Sequence, residues 1–219
     1  MGGRLIVFEG VEGCGKTTQI QRSREWLQSI LDSGSAPAVV VTREPGGTAL
    51  GTDLRSLLLG AEIGKPIQDS AELLLYAADR AQHVEEVLKP QLAMGAVILC
   101  DRYTDSTVAY QGYGRGLSLS LIAQLNQIAT GGLESDLTLW LDVNVELSLA
   151  RKRVVEVADR IEQANLAFHQ RVQQGYTELA RLHPRRVVRV DASLSEAGVQ
   201  EQIQVILSQR LTQWYEGVD

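Results

Sequence analysis

Five short apolar runs punctuate the chain: Leu5–Phe8, Ala38–Thr42, Val97–Cys100, Leu137–Leu141 and Val187–Val190, each bounded by charged or turn-forming residues. Runs this short and this apolar predict buried strands. The segments between them are too long for hairpins and carry helical periodicity, which suits crossover connections in a parallel sheet. The pattern therefore predicts an α/β fold of three layers, a five-stranded parallel sheet flanked by helices. In the last segment Val199, Ile203, Leu207 and Leu211 step by four, with Ile206 and Trp214 in the same stripe. Its other face carries Gln200, Glu201, Gln202, Gln204 and Gln209, not the basic residues of a membrane-surface helix, so it should pack on the sheet. Breaks at residues 33–37, 64–66, 112–116 and 130–132 read as loops inside one domain spanning 1–219.

Composition narrows the picture. A chain of 219 residues with 44% apolar content builds a full core without metals or disulfides. Its longest apolar run, Leu73 to Ala78, is far short of the roughly 20 residues that cross a bilayer. The beginning, with only Leu5 to Phe8 apolar and Ile6 at the Ser/Thr place of a myristoylation motif, predicts neither export nor a lipid anchor. Two cysteines, Cys14 and Cys100, form no disulfide framework, and a reducing cytoplasm is the expected location. A net charge of −6 has the wrong sign for holding a nucleic-acid polymer. Arg43, Arg102 and Arg115, at strand ends or beside glycines, still permit a local cationic pocket for a small phosphorylated ligand.

The chemistry starts right after the first run. Gly10-Val11-Glu12-Gly13-Cys14-Gly15-Lys16-Thr17-Thr18 matches G-x-x-x-x-G-K-[ST] between a predicted strand and a predicted helix. Glycines 10, 13 and 15 let the backbone curl its N–H groups into a nest for polyphosphate, and the helix start adds its positive end. Lys16 then reaches the β- and γ-phosphates, while Thr17 offers a hydroxyl to the bridging Mg²⁺. Cys14 reads as a small filler. Glu12, a carboxylate in a loop built for anions, should face away from the phosphates or toward a cation or hydroxyl, and is expected to face the second substrate.

Further groups follow the second and third runs: Thr42-Arg43-Glu44-Pro45-Gly46-Gly47-Thr48, Asp101-Arg102-Tyr103 and Ala109-Tyr110-Gln111-Gly112. Together with Phe8 to Gly13, Tyr76-Ala77-Ala78-Asp79-Arg80 and Asp159-Arg160-Ile161-Glu162, they make the chain resemble the thymidylate kinases along nearly its whole length. The resemblance implies phosphorylation of dTMP by ATP with Mg²⁺ on a P-loop kinase fold, as a bacterial-type homodimer. It assigns Arg43 and Arg102 to the acceptor phosphate, a task suited to paired guanidinium donors. Tyr76 is expected to stack on the base and Arg80, one helical turn on, to reach a base carbonyl. The plainer alternative makes Tyr76 core and pairs Arg80 with Glu85 or Asp79. The resemblance further implies that Thr107 faces the base edge, that Tyr110 and Gln111 lie beside the sugar, that Glu12 accepts from the 3′-hydroxyl, and that Asp101 organises Mg²⁺.

A phosphotransferase must keep water out, so a cationic lid is expected at about 144–166. No arginine lies at positions 11–14 of the loop, so Arg151 and Arg153, with Arg160, become the candidates for the transferring phosphoryl. His83, His169 and His183 show no metal-ligand spacing. Other acceptors such as dUMP or dCMP remain open, as does a GTP-dependent switch, although the late strands end in Leu141-Asp142-Val143-Asn144 and Val190-Asp191-Ala192-Ser193 and not in a guanine-reading Asn-Lys-x-Asp.

Overall fold

The structure is a computed structural model that describes residues 2–31, 38–60, 67–153 and 166–215, with only the backbone described over 150–153. Its centre is a parallel sheet in the order β2-β3-β1-β4-β5. The strands are β1 Arg4–Glu9, β2 Val39–Arg43, β3 Val97–Asp101, β4 Leu137–Asp142 and β5 Val187–Asp191. Each runs one residue beyond its apolar run, because ladder hydrogen bonds need only backbone and do not stop at the first charged side chain. All five thus end on a charge: Glu9, Arg43, Asp101, Asp142 and Asp191. Parallel register aligns these ends, Asp101 pairing with Phe8 on one side and Arg43 on the other. A charged row results at the carboxyl edge, where open α/β sheets bind ligands.

Side-chain alternation along β1 builds two cores. Ile6 and Phe8 join one cluster with Ile20 and Leu27 of α1 (Lys16–Leu31), and Leu5 and Val7 join the other with Val84, Leu88 and Tyr103. The stripe Val199, Ile203, Leu207, Leu211 is buried on α9 (Glu196–Tyr215) as its spacing predicts. Helix α2 (Ala49–Leu59) starts at Thr48, whose hydroxyl accepts the Gly51 N–H at 2.9 Å. Helix α3 (Asp69–His83) runs on through a π-helical turn, Val84–Leu88, into α4 (Lys89–Ala93). The widened turn ends two residues before Pro90, which cannot donate to the helix.

One expectation fails in an informative way. Residues 112–114, read as a loop, belong to a π-helical stretch Val108–Gly114 that follows the short helix α5 (Thr104–Thr107). The glycines there serve packing: a Cβ on Gly114 would lie 2.7 Å from the Phe168 ring. On α8 (Leu166–Leu182), Gly175 likewise lies against Ala109 and Tyr113. Helix α6 (Leu119–Thr130) begins at Ser118 and ends at Gly131 in the left-handed conformation, φ 59°, as the predicted break requires. Helix α7 (Val145–Arg153) follows β4.

Candidate active site

Between β1 and α1 the phosphate-binding sequence adopts the conformation its glycines predict, with φ of 142° at Gly10, 75° at Gly13 and 96° at Gly15. Gly10 is doubly constrained, since a Cβ would lie 2.6 Å from the Leu141 carbonyl oxygen. The Lys16 ammonium folds over the loop, donating to the carbonyls of Gly10 at 3.2 Å and Val11 at 3.3 Å. Thr17 and Thr18 are exposed at the helix start. Cys14 is buried, and burial pushes its thiol up, away from the reactive thiolate. Glu12 faces a cation of the protein itself: it pairs with Arg102.

Arg102 is the one described non-glycine residue with left-handed backbone, φ 71°. A bulky side chain there stores strain, which neighbouring contacts must offset. Its N–H donates to the Phe8 carbonyl at 3.0 Å. The fully buried Glu9 holds the next residues, accepting the N–H of Tyr103 at 2.9 Å and of Ser106 at 3.1 Å, with the Tyr176 hydroxyl at 2.7 Å. Burial pushes the Glu9 carboxyl up while the Arg102 charge pulls it down. The guanidinium is thereby delivered over the Tyr110 ring, 4.9 Å from its centroid, and donates to the Tyr110 hydroxyl at 3.1 Å. Burial works against its charge, but Glu12 first and then Tyr110, Tyr176 and Glu9 outweigh that and hold its pKa well above the ordinary value.

One face of α3 carries Tyr76, Asp79, Arg80 and His83, spaced i, i+3, i+4, i+7. Arg80, 2% exposed, pairs with neither Glu85 nor Asp79. Its Nε donates to Glu44 at 2.8 Å, Nη1 to Thr107 at 2.8 Å and Asn126 at 2.9 Å, and Nη2 to the Tyr103 carbonyl at 3.0 Å. His83 braces Glu44 through Nδ1 at 2.8 Å and meets the Thr42 hydroxyl through Nε2 at 2.7 Å. Asp79 accepts the Gly46 N–H at 3.0 Å, and burial pushes its carboxyl up to about 6. Across the cavity, Gln111 donates to the buried Glu72 at 2.9 Å.

These parts line one cavity of about 910 Å³. It joins residues 12–19 of the phosphate loop and α1 to Arg43, Tyr76, Arg80, Asp101, Arg102, Thr107, Tyr110 and Gln111. Arg55 of α2 also lines it, and nothing in the sequence singled it out. Burial, and then the neighbouring Arg43 cation, hold the Arg55 pKa below its ordinary value. Arg43 itself is exposed, and the adjacent carboxylate, Glu44, is taken by Arg80 and His83. At the other end the cavity reaches Ala192 to Glu196, between β5 and α9, where Gln19 donates to the Glu196 carbonyl at 3.0 Å. Sequence reasoning missed this segment too.

The oxygen donors suit a hard divalent ion. Asp101 Oδ1 is buried with no hydrogen-bond partner, on the cavity wall that also carries Thr17. No cluster of three His, Cys, Asp or Glu able to hold a metal occurs among the described residues. The side chains of Arg151 and Arg153, and all of Arg160, lie outside the described residues.

A family model described as thymidylate kinase matches residues 8–203. The chain belongs to the thymidylate kinase family. Among relatives, the thymidylate kinase of Nostoc punctiforme is 65% identical over 94% of this chain and 96% of its own length. That of Gloeobacter violaceus is 54% identical over 91% and 92%. The crystal structure of thymidylate kinase from Ehrlichia chaffeensis superposes with a TM-score of 0.76 at 33% identity, covering 94% of this chain and all of that one. Thymidylate kinases phosphorylate dTMP to dTDP with ATP, and this chain is a nucleoside monophosphate kinase of that kind. No helix among the described residues is long and apolar enough to cross a membrane.

Proposed function

We propose that the two nucleotides lie end to end in this cavity, with the ATP phosphates on residues 10–18 and dTMP between α3 and the segment after β3. The observation that carries the reading is the continuity of the cavity, from the phosphate loop to Arg43, Arg55 and Arg102. Lys16 leaves the loop carbonyls to meet the γ-phosphate, and Arg43, Arg55 and Arg102 offset the acceptor dianion. Glu12, freed from Arg102 as the phosphate arrives, accepts from the sugar 3′-hydroxyl. Tyr76 stacks on the base, Arg80 and Thr107 read its edge together with Gln111, expected beside the sugar but set in the wall one helical turn after Thr107, and the Tyr110 ring leaves no room for a 2′-hydroxyl. Thr17 and Asp101 would hold Mg²⁺, which would supply charge neutralisation at the reacting phosphates.

The acceptor phosphate is itself the nucleophile, so direct in-line transfer needs no covalent enzyme intermediate. The adenosine runs along α1 to the segment after β5, where Gln19 anchors Glu196. Residues 144–166 close as a lid, and Arg151 and Arg153 deliver charge to the transferring group. The enzyme works in the cytoplasm as a homodimer. Exposed Leu50 and Leu57 of α2, Leu74 of α3, and Leu121 and Ile128 of α6, three helices packed side by side, offer the face for a second copy. Sedimentation equilibrium should then give twice the 24.0 kDa chain mass, and a monomer at micromolar concentration would refute it.

The direct test assays ATP consumption with dTMP, dUMP, dCMP and AMP side by side. The reading expects dTMP to be the best acceptor and dTDP its product. ATP consumption that dTMP does not stimulate, together with tight GTP binding, would replace it with a nucleotide switch.

A further inference from the structure

Gln111 is only 3% exposed, yet it forms part of the cavity wall. An amide has a donor end and an acceptor end of nearly equal shape, so packing alone does not fix which one faces a ligand. Glu72 fixes it. Gln111 Nε2 donates to Glu72 Oε1 at 2.9 Å, and Glu72 has no exposed surface. A carboxylate accepts only, so the reversed amide would set oxygen against oxygen in a buried site. Arg115 closes the far side of Glu72, with Nη2 at 3.1 Å from Oε2 and Nε at 3.4 Å from Oε1. Arg115 is itself seated 5.3 Å over the Phe168 ring.

With Nε2 committed, Oε1 is the end left for the cavity, and it accepts no hydrogen bond among the described residues. Arg80 supplies the opposite polarity, since a guanidinium only donates. It is anchored to Thr107, one helical turn before Gln111. The wall therefore presents a fixed donor and a fixed acceptor. Thymine and uracil carry a carbonyl next to an N–H at N3 and match both, whereas cytosine carries an amino group next to a bare nitrogen and matches neither.

We infer that Glu72 is a positioning residue for base selection: by holding the Gln111 amide with its carbonyl outward, it favours an imide N–H and rejects cytosine. This inference rests on the dTMP reading above. It is tested on the full chain by kcat/KM for dTMP, dUMP and dCMP in the wild type, Glu72→Gln, Gln111→Leu and the double variant. Glu72→Gln keeps the shape, but Arg115 claims the new oxygen and leaves an N–H facing Gln111, which then reverses. The dTMP:dCMP ratio should fall roughly tenfold to hundredfold. The dTMP:dUMP ratio and the KM for ATP should stay unchanged, which loss of structure alone would not produce. Gln111→Leu should lower the dTMP:dCMP ratio by the same order, and Glu72→Gln should add nothing once Gln111 is gone. A wild-type chain inert towards dTMP removes the functional reading and the inference with it. An active chain overturns the inference alone if the ratio moves less than about twofold in Glu72→Gln or Gln111→Leu, or if Glu72→Gln still shifts it in the double variant.

Discussion

The two ends of the acceptor site are both cationic, but they are neutralised differently. At the phosphate end Arg102 pairs with Glu12, but among the described residues Arg43 has no ion-pair partner and Arg55 donates only to the Pro45 carbonyl, at 3.0 Å. At the base end Arg80 is nearly saturated, and its partner Glu44 is itself braced by His83, as Glu72, the partner of Gln111, is by Arg115. The difference follows from what each end receives. A phosphate dianion brings its own compensation, so Arg43 and Arg55 can wait without a carboxylate at a partly open surface, whereas the partly buried Arg102 keeps Glu12. A neutral base brings none, and an uncompensated buried charge costs several kcal/mol, so the base reader must be neutralised within the protein.

Four experiments break or sharpen this contrast. The largest effect belongs to the donor side that both ends depend on: Lys16→Ala should lower kcat by about a thousandfold, and near-normal turnover would refute the mechanism. Next, Glu44→Ala leaves Arg80 buried and unpaired, so urea unfolding should report a loss of about 3–5 kcal/mol. Arg43→Ala, by contrast, should cost less than about 1 kcal/mol of stability, since nothing buried loses a partner. Its effect appears in binding, as a rise of about tenfold in the KM for dTMP that shrinks when salt screens the site. The KM for ATP should change little.

The last effect is a pH dependence. Burial raises the Asp79 carboxyl from 3.8 to about 6, so the folded chain holds this proton at a pH where the unfolded chain has released it. Its stabilising contribution is complete below about pH 4 and is lost as the pH rises through about 6. Comparing wild type with Asp79→Asn by urea unfolding, the wild type should lose about 1–2 kcal/mol relative to the variant between pH 4 and pH 7. Parallel curves would show that Asp79 does not titrate in this range.

The contrast also governs what was legible in the sequence. The phosphate loop is local: its glycines, Lys16 and Thr17 are consecutive and stand between a strand and a helix, so spacing alone predicts its backbone. The base end is not local. Glu44 meets Arg80 across 36 positions, and Glu72 meets Gln111 across 39, distances over which periodicity carries no pairing information. The local partners weighed for Arg80, Glu85 and Asp79, were the wrong ones for that reason. A usable signal did exist in the spacing of Tyr76, Asp79, Arg80 and His83, a polar stripe on a helix face that would ordinarily be apolar. Arg55 gave none, being one charged residue on an amphipathic helix, and Gly112 and Gly114 looked like turn residues because close packing and turns call for the same amino acid.

The account stands on one cavity seating both nucleotides with their phosphates facing each other. Calorimetric titration with an adenosine–thymidine dinucleoside pentaphosphate tests this directly. The account predicts one molecule bound per chain, tighter than either dTMP or ATP alone, and blocked by both. Competition with only one of the two nucleotides, or two molecules bound per chain, would contradict it.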